Sequence, residues 1–229
     1  MRFLLAVVLA VGLASVPSAA MQDREPSPLP TGSPAAIASL EALLLNPDVH
    51  RELKLTSEQI QKLHQITRSV HEKHQEDFRA LRKLSGEERR RQETDLTRTV
   101  WQEIRKELEN VLPPEQARRV VEIRLQGQGL QAFADPDVDR ALRLTDEQKE
   151  KLELITQDTA KRIRQLFSPR AQNTFEQAMK KAEQLRRTAV AQAVALLTQE
   201  QQKTWRGLIG EPFQPTSAPS LLRQRPSGG

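Results

Sequence analysis

Apolar residues recur at spacings of three and four along two long stretches of the chain. In the first, Ile60, Leu63, Ile66 with Thr67, Val70, His74, Phe78 and Leu81 form one stripe; in the second, Leu152, Ile155, Thr159, Ile163, Leu166 and Phe167 do the same. That period is the helical one, with charged residues left on the outer faces. Each stretch is followed by another of the same kind. Leu96, Val100, Trp101, Ile104, Leu108 and Val111 make one, and Phe175, Met179, Ala182, Leu185, Ala189, Ala193 and Leu196 make the other. Ser85-Gly86 and Ser168-Pro169 interrupt the pattern at matching places. Breakers are otherwise scarce: Pro47, Pro113 and Pro114 are the only others between Pro34 and Gly127, and Pro169 stands alone between Pro136 and Gly207. The predicted fold is all-α, two tandem helical hairpins, each rod carrying a single apolar stripe.

The hairpins are copies of one another. Pro47 to Thr67 reads PDVHRELKLTSEQIQKLHQIT and Pro136 to Thr156 reads PDVDRALRLTDEQKEKLELIT, with 13 of 21 residues identical. Such self-similarity points to an internal duplication. The offset between copies is 89 at this opening motif and 85 at the closing one, so the second copy is four residues shorter, close to one helical turn, and the stripe keeps its face. A single stripe needs burial, so the two repeats are expected to pack their stripes against each other as a pseudo-dimer within one chain.

Each copy opens and closes on the same string. Leu55-Thr56-x-x-Gln59, Leu144-Thr145-x-x-Gln148 and Leu197-Thr198-x-x-Gln201 match in full; Leu112 to Gln116 departs by placing Pro113 where the threonine stands. The string has a direct physical meaning. A threonine at the N-cap accepts from the amide three residues on, and the glutamine there reaches back, which closes a capping box. Leu55 with Ile60 can add a hydrophobic staple, whereas Lys149 and Gln202 cannot complete it in the other two. Pro114, at the first helical position, partly replaces the missing cap of the fourth.

Composition places the chain. An apolar run from Phe3 to Ala14 follows Arg2, with Ser18, Ala19 and Ala20 ahead of Met21, the pattern of a secretory signal peptide over residues 1–20. The run is too short to span a bilayer well, and no later stretch reaches the roughly 20 apolar residues that a membrane helix needs, so stable membrane insertion is not expected. Residues 21–34 and 211–229 are rich in Pro and Ser and read as unstructured ends; the repeats occupy 35–129 and 130–210. The chain has no cysteine, which removes disulfides from consideration. Aromatics are 3% and charged residues 28% of the chain, so a thick core is not expected. The net charge of +5 becomes +4 once Arg2 is removed, and the signs are well mixed, unlike a nucleic-acid footprint. The expected place is periplasmic or secreted.

No nucleophile with its base, no phosphate loop and no isolated carboxylate pair can be found, so the chain does not read as an enzyme, and no cofactor is implied. All four histidines, His50, His64, His71 and His74, lie in the first copy. His71 and His74, three apart on a helix, are weak metal candidates, because a structural zinc takes four ligands and no cysteine helps; a packed histidine is the plainer reading of a stripe position.

Paired L-T-x-x-Q strings in a cysteine-free, Gln- and Arg-rich helical chain with a signal peptide resemble the bacterial Spy/CpxP family, over roughly residues 44–213. The resemblance implies a thin, elongated, curved helical cradle or bundle, with an envelope-stress role as an ATP-independent chaperone or as an inhibitor of a sensor kinase. Relatives build the cradle from two chains; here the motif pair is duplicated within one, so either a monomeric pseudo-dimer or a homodimer is expected. By the same resemblance, basic positions could draw in partly unfolded clients: Arg79, Arg82, Lys83, Arg89, Arg90 and Arg91 in the first copy, Lys161, Arg162 and Arg164 in the second. The alternatives are a zinc-responsive protein similar to ZraP, near this family, and a structural adaptor for one envelope partner.

Overall fold

A computed structural model of the chain describes residues 40–215, apart from the side chain of Arg90. The expected signal peptide, the linker over 21–34 and the tail beyond 215 lie outside the described residues. Within them the chain is all-α, with no strand. A helical turn over 40–44 leads into α1 (Pro47–Glu52), α2 (Ser57–Lys73), α3 (Gln75–Leu81), α4 (Gly86–Val111) and α5 (Pro114–Gln128). A 3-10 helix (Gly129–Ala134) then precedes α6 (Pro136–Leu142), α7 (Asp146–Leu166), α8 (Phe175–Ala195) and α9 (Gln199–Ile209).

Local chemistry explains where these helices begin. Thr56 Oγ1 accepts from the Gln59 amide at 3.2 Å while Gln59 Oε1 accepts from the Thr56 amide at 2.9 Å. Thr145 with Gln148 opens α7, and Thr198 with Gln201 opens α9, in the same way. α8 opens on a fourth capping box, Thr174 with Gln177, which sequence reasoning overlooked because no leucine precedes it. Pro113 makes no side-chain cap, and Pro114 sits at the start of α5 as expected. Each threonine cap contributes about 0.5–2 kcal/mol. The short helices α1 and α6 also match: Asn46 Oδ1 caps the Asp48 amide at 2.8 Å and Asp135 Oδ1 caps that of Asp137 at 2.9 Å. Beyond them, Lys54 and Arg143 each take φ 51°, the left-handed region that turns the chain into the L-T-x-x-Q string. The duplicated sequence thus repeats its backbone down to an unusual dihedral.

The stripes are buried within each antiparallel pair. α2 packs on α4, bringing Leu63, Ile66 and Val70 into one core with Val100, Trp101, Ile104 and Leu108. α7 packs on α8 by a thinner seam, in which Leu152 and Ile163 oppose a row of alanines, Ala178, Ala182, Ala189 and Ala193. The halves of the chain meet elsewhere: α5 packs on α9 and the 3-10 helix packs on α8, while α2–α4 and α7–α8 make no comparable contact. The expected burial of stripes between repeats is therefore replaced by burial inside each pair, since each rod's stripe already faces its neighbour's. A second core lies around this junction, where Phe133 stacks on Trp205 at 4.4 Å beside Leu125, Leu142, Leu144 and Leu197. After α9 the chain turns at Gly210 (φ 59°), where an added Cβ would overlap the Glu122 carboxylate, and residues 211–215 return along α5. Arg119 and Gln126 donate to the Glu211 carbonyl and Phe213 packs on the first core, so this part of the expected unstructured tail is held.

Four stripe positions differ from expectation, the first being Phe167, which stands 39% exposed just past the end of α7. Phe175 is 71% and Met179 43% exposed: Met179 lies one residue off the alanine row, and Phe175 opens α8 where α7 has already ended. At His74 the expected single helix divides into α2 and α3, whereas the equivalent Ile163 continues α7. The buried His74 ring is engaged by two carboxylates, Asp77 at 2.9 Å and Glu103 at 3.2 Å.

A further polar residue sits in the first seam. Glu93 is 1% exposed, its Oε1 has no hydrogen-bond partner among the described residues, and Ala178 takes its place in the second copy. Burial raises its pKa above 4.5, with nearby Arg89 pulling the other way. Folding therefore shifts this carboxyl toward its neutral form relative to the unfolded chain. The stability this site allows is full below 4.5 and falls as pH rises through the raised value. Glu93→Gln is expected to raise stability by about 1 kcal/mol near pH 8 and leave it unchanged near pH 4, as read by denaturant unfolding at both.

Candidate functional site

The capping strings do more than start helices, because each glutamine also donates through its side-chain NH2. In the first half, Gln59 Nε2 donates to Gln116 Oε1 at 2.9 Å, and Gln116 Nε2 donates to the Leu53 carbonyl at 2.8 Å. In the second, Gln148 and Gln201 join through their side-chain amides at 2.8 Å. Gln148 Nε2 also reaches the Leu196 carbonyl and Gln201 Nε2 the Leu142 carbonyl, each at 3.0 Å. Each opening motif is thus locked to its closing motif, and each glutamine satisfies a carbonyl at the end of a helix in its partner's segment. Leu112, Leu144 and Leu197 are buried beneath these locks and Leu55 is half-buried. All eleven motif residues therefore fall in two structural clusters, one in each half, occupied in tying that half's opening segment to its closing one.

The basic residues lie elsewhere. Arg79, Arg82, Lys83, Arg89 and Arg91 surround the α3–α4 turn, while Lys161, Arg162 and Arg164 lie near the end of α7; the Arg90 side chain is outside the description. The two groups stand at the free ends of separate helix pairs and are not brought onto one shared face by any packing between those pairs. Arg79 is taken up by Glu76, Arg162 lies 3.7 Å from Asp158, and Arg89 is half-buried.

The two free ends differ in kind. Residues 69–102 carry eight basic and seven acidic residues, a balance of +1; the aligned residues 158–187 carry eight and three, a balance of +5. At the α7–α8 end Lys161, Arg164, Arg170 and Lys180 have no carboxylate partner within 4 Å among the described residues. All four of the large apolar side chains that stand exposed in the described residues belong to α7, α8 and the turn between them: Leu154, Phe167, Phe175 and Met179. Phe167 and Phe175 pair across the turn with centroids 6.1 Å apart and planes 60° apart. At the α3–α4 end Leu81 is buried and Phe78 half-buried. An exposed aromatic pair at a helix-pair end that also carries unpaired cations can take apolar groups and negative charge together. Sequence reasoning found two of these cations, Lys161 and Arg164, missed Arg170 and Lys180, and assigned the aromatics to the core; the proline between Phe167 and Phe175, which takes them out of the helical register, was the available signal.

The histidines do not converge. His71 faces Glu41 at 3.0 Å, while His74 faces Asp77 and Glu103; Lys73, with His74 adding to it, holds Glu103 below the ordinary carboxylate range. Among the described residues, no three His, Asp or Glu side chains are grouped to hold a metal ion. A cavity of about 510 Å³ lies where α4, α5 and α9 meet, floored by Leu108, Leu112, Ala117 and Val121. Its rim arginines are already paired, Arg105 with Asp137 and Arg118 with Glu122. No helix among the described residues is long and apolar enough to cross a membrane. No family model matches the chain, and no curated protein or solved structure matches it either.

Proposed function

We propose that the chain is an exported, non-enzymatic binding protein of the Spy/CpxP kind, in which two tandem hairpins form a thin cradle that holds partly unfolded polypeptides without a nucleotide cycle. The observation that carries this reading is the exposed Phe167–Phe175 pair at a helix-pair end that also carries unpaired cations. Cations attract a chain over distances of about 10 Å at 0.1 M salt, and a few apolar contacts then hold it. Contacts this few are individually weak, so release needs only dilution or refolding of the client. Preferential binding of non-native chains lowers the population free to aggregate, by mass action.

The test is light scattering from several unrelated proteins diluted out of denaturant, with and without the chain. Every client's aggregation is expected to be delayed, and the delay to shrink as salt rises from about 50 to about 500 mM. Protection of a single client and no other would instead identify an adaptor. Protection that did not respond to salt would remove the cations from the account.

A further inference from the structure

We infer that capture is confined to the free end of the α7–α8 pair, and that this end selects unfolded segments combining acidic with apolar side chains. The inference rests on the client-holding reading above and adds to it where the client sits and what its chemistry is. The duplication provides an internal comparison. Two stretches of common origin have come to differ in the two properties that matter for binding a flexible chain. The α3–α4 end balances its cations with seven carboxylates and keeps Leu81 buried; the α7–α8 end has three carboxylates against eight cations and leaves Phe167, Phe175 and Met179 open. The structural demands differ accordingly. The first half holds Trp101 and the larger core, while the α7–α8 seam closes on alanines, which bring two helices together with few large side chains.

The geometry suits an extended segment. Alternate residues on one face of an extended chain are about 6.6 Å apart, close to the 6.1 Å between the Phe167 and Phe175 rings, so two alternate apolar side chains of a client can each meet one ring. Acidic residues in the same segment then face Arg164, Arg170 and Lys180. Charge argues against a second copy as the occupant, because two ends of +5 would meet like to like. A basic or neutral unfolded segment gains the ring contacts alone.

The experiment uses the full chain and two fluorescent, unstructured peptides. They are equal in length and in leucine and phenylalanine content; one carries glutamate and the other lysine at every polar position. Anisotropy titration is expected to give at least tenfold tighter binding of the glutamate peptide, about the effect of one strong charge-complementary contact. Phe167→Ser/Phe175→Ser is expected to weaken both peptides about tenfold, since both use the rings. Arg164→Glu/Arg170→Glu/Lys180→Glu should abolish the preference for glutamate. Arg82→Glu/Lys83→Glu, the matched change at the other end, should alter neither. All these positions are exposed, and circular dichroism checks that helicity is kept. Equal binding of the two peptides, or a loss caused by the Arg82/Lys83 variant instead, would overturn the inference. So would binding of the α7–α8 end to phosphatidylglycerol vesicles in place of either peptide. If aggregation is suppressed by the original chain and equally by the α7–α8 variants, only the location fails. If the original chain suppresses nothing, the client-holding reading itself fails.

Discussion

Asp135→Ala is expected to lower the unfolding free energy by about 3–5 kcal/mol, the range for removing one partner of a buried ion pair. Asp135 carries two duties at the point where the halves of the chain join. Its Oδ1 caps α6 and its Oδ2 receives Arg124 at 2.7 Å, with both side chains about 10% exposed. The Arg124 guanidinium also lies 4.0 Å from the centre of the Trp101 ring, so a residue of α5 ties the core of the first half to the first turn of the second. Burial already makes the charged guanidinium less favourable there, and Asp135 is the group that offsets it. Alanine would leave that charge buried without its hydrogen-bonded counter-ion, with only the more distant Asp137 carboxylate acting on it. The duplication supplies the control. Asn46 occupies the equivalent place and makes the same cap to Asp48, so Asn46→Ala should cost only the cap, about 1 kcal/mol. Denaturant unfolding of the two variants side by side reads the difference; equal losses would mean that the Arg124 pair contributes nothing beyond the cap.

Gln148→Ala and Gln201→Ala are each expected to cost about 2–3 kcal/mol, as the sum of several hydrogen bonds of about 0.5–1.5 kcal/mol each. Gln201 accepts from the Thr198 amide and from Gln148, and donates to Gln148 and to the Leu142 carbonyl. Gln148 is its mirror, bonded to Thr145 and to the Leu196 carbonyl. Because the two amides share bonds, the double variant should lose less than the sum of the singles, with a coupling of about 1 kcal/mol or more. Gln59→Ala combined with Gln201→Ala makes the comparison, since those glutamines belong to different locks and share no partner; their effects should add within about 0.5 kcal/mol. Additivity in both pairs would show that the glutamines act only as separate caps.

Much of this fold was legible in the chain because its determinants are local. A threonine three residues before a glutamine fixes a helix start by contacts within one turn, and the three full L-T-x-x-Q strings all cap helices as expected. The stripe from Leu63 to Val70 and that from Val100 to Leu108 were readable for the same reason, since helical spacing alone sets which residues share a face. What was not legible depends on partners far along the chain. The glutamine amides meet across 57 and 53 residues, and nothing in a capping box says where its spare N–H groups will go. Phe175 and Met179 have stripe spacing, yet the facing helix ends before it reaches Phe175, and Met179 lies one residue off the alanine row that this helix covers. Arg124 reads as one more surface cation until α4 places Trp101 under it and α6 places Asp135 beside it. His74 has stripe spacing and is buried as that spacing suggests, whereas Glu93 lies outside the stripes read from the sequence and only the packed fold makes it buried. The binding end was half visible: Lys161 and Arg164 stood out in the sequence, but their lack of carboxylate partners is a property of the folded surface.

The most direct measurement replaces Phe175 and Leu84 in turn with benzoylphenylalanine in the full chain and irradiates each with a protein freshly diluted from denaturant. Capture at the α7–α8 end predicts a crosslinked client at position 175 that fades as salt is raised, and little at position 84. Crosslinking at 84 in preference to 175, or at both alike, would contradict it.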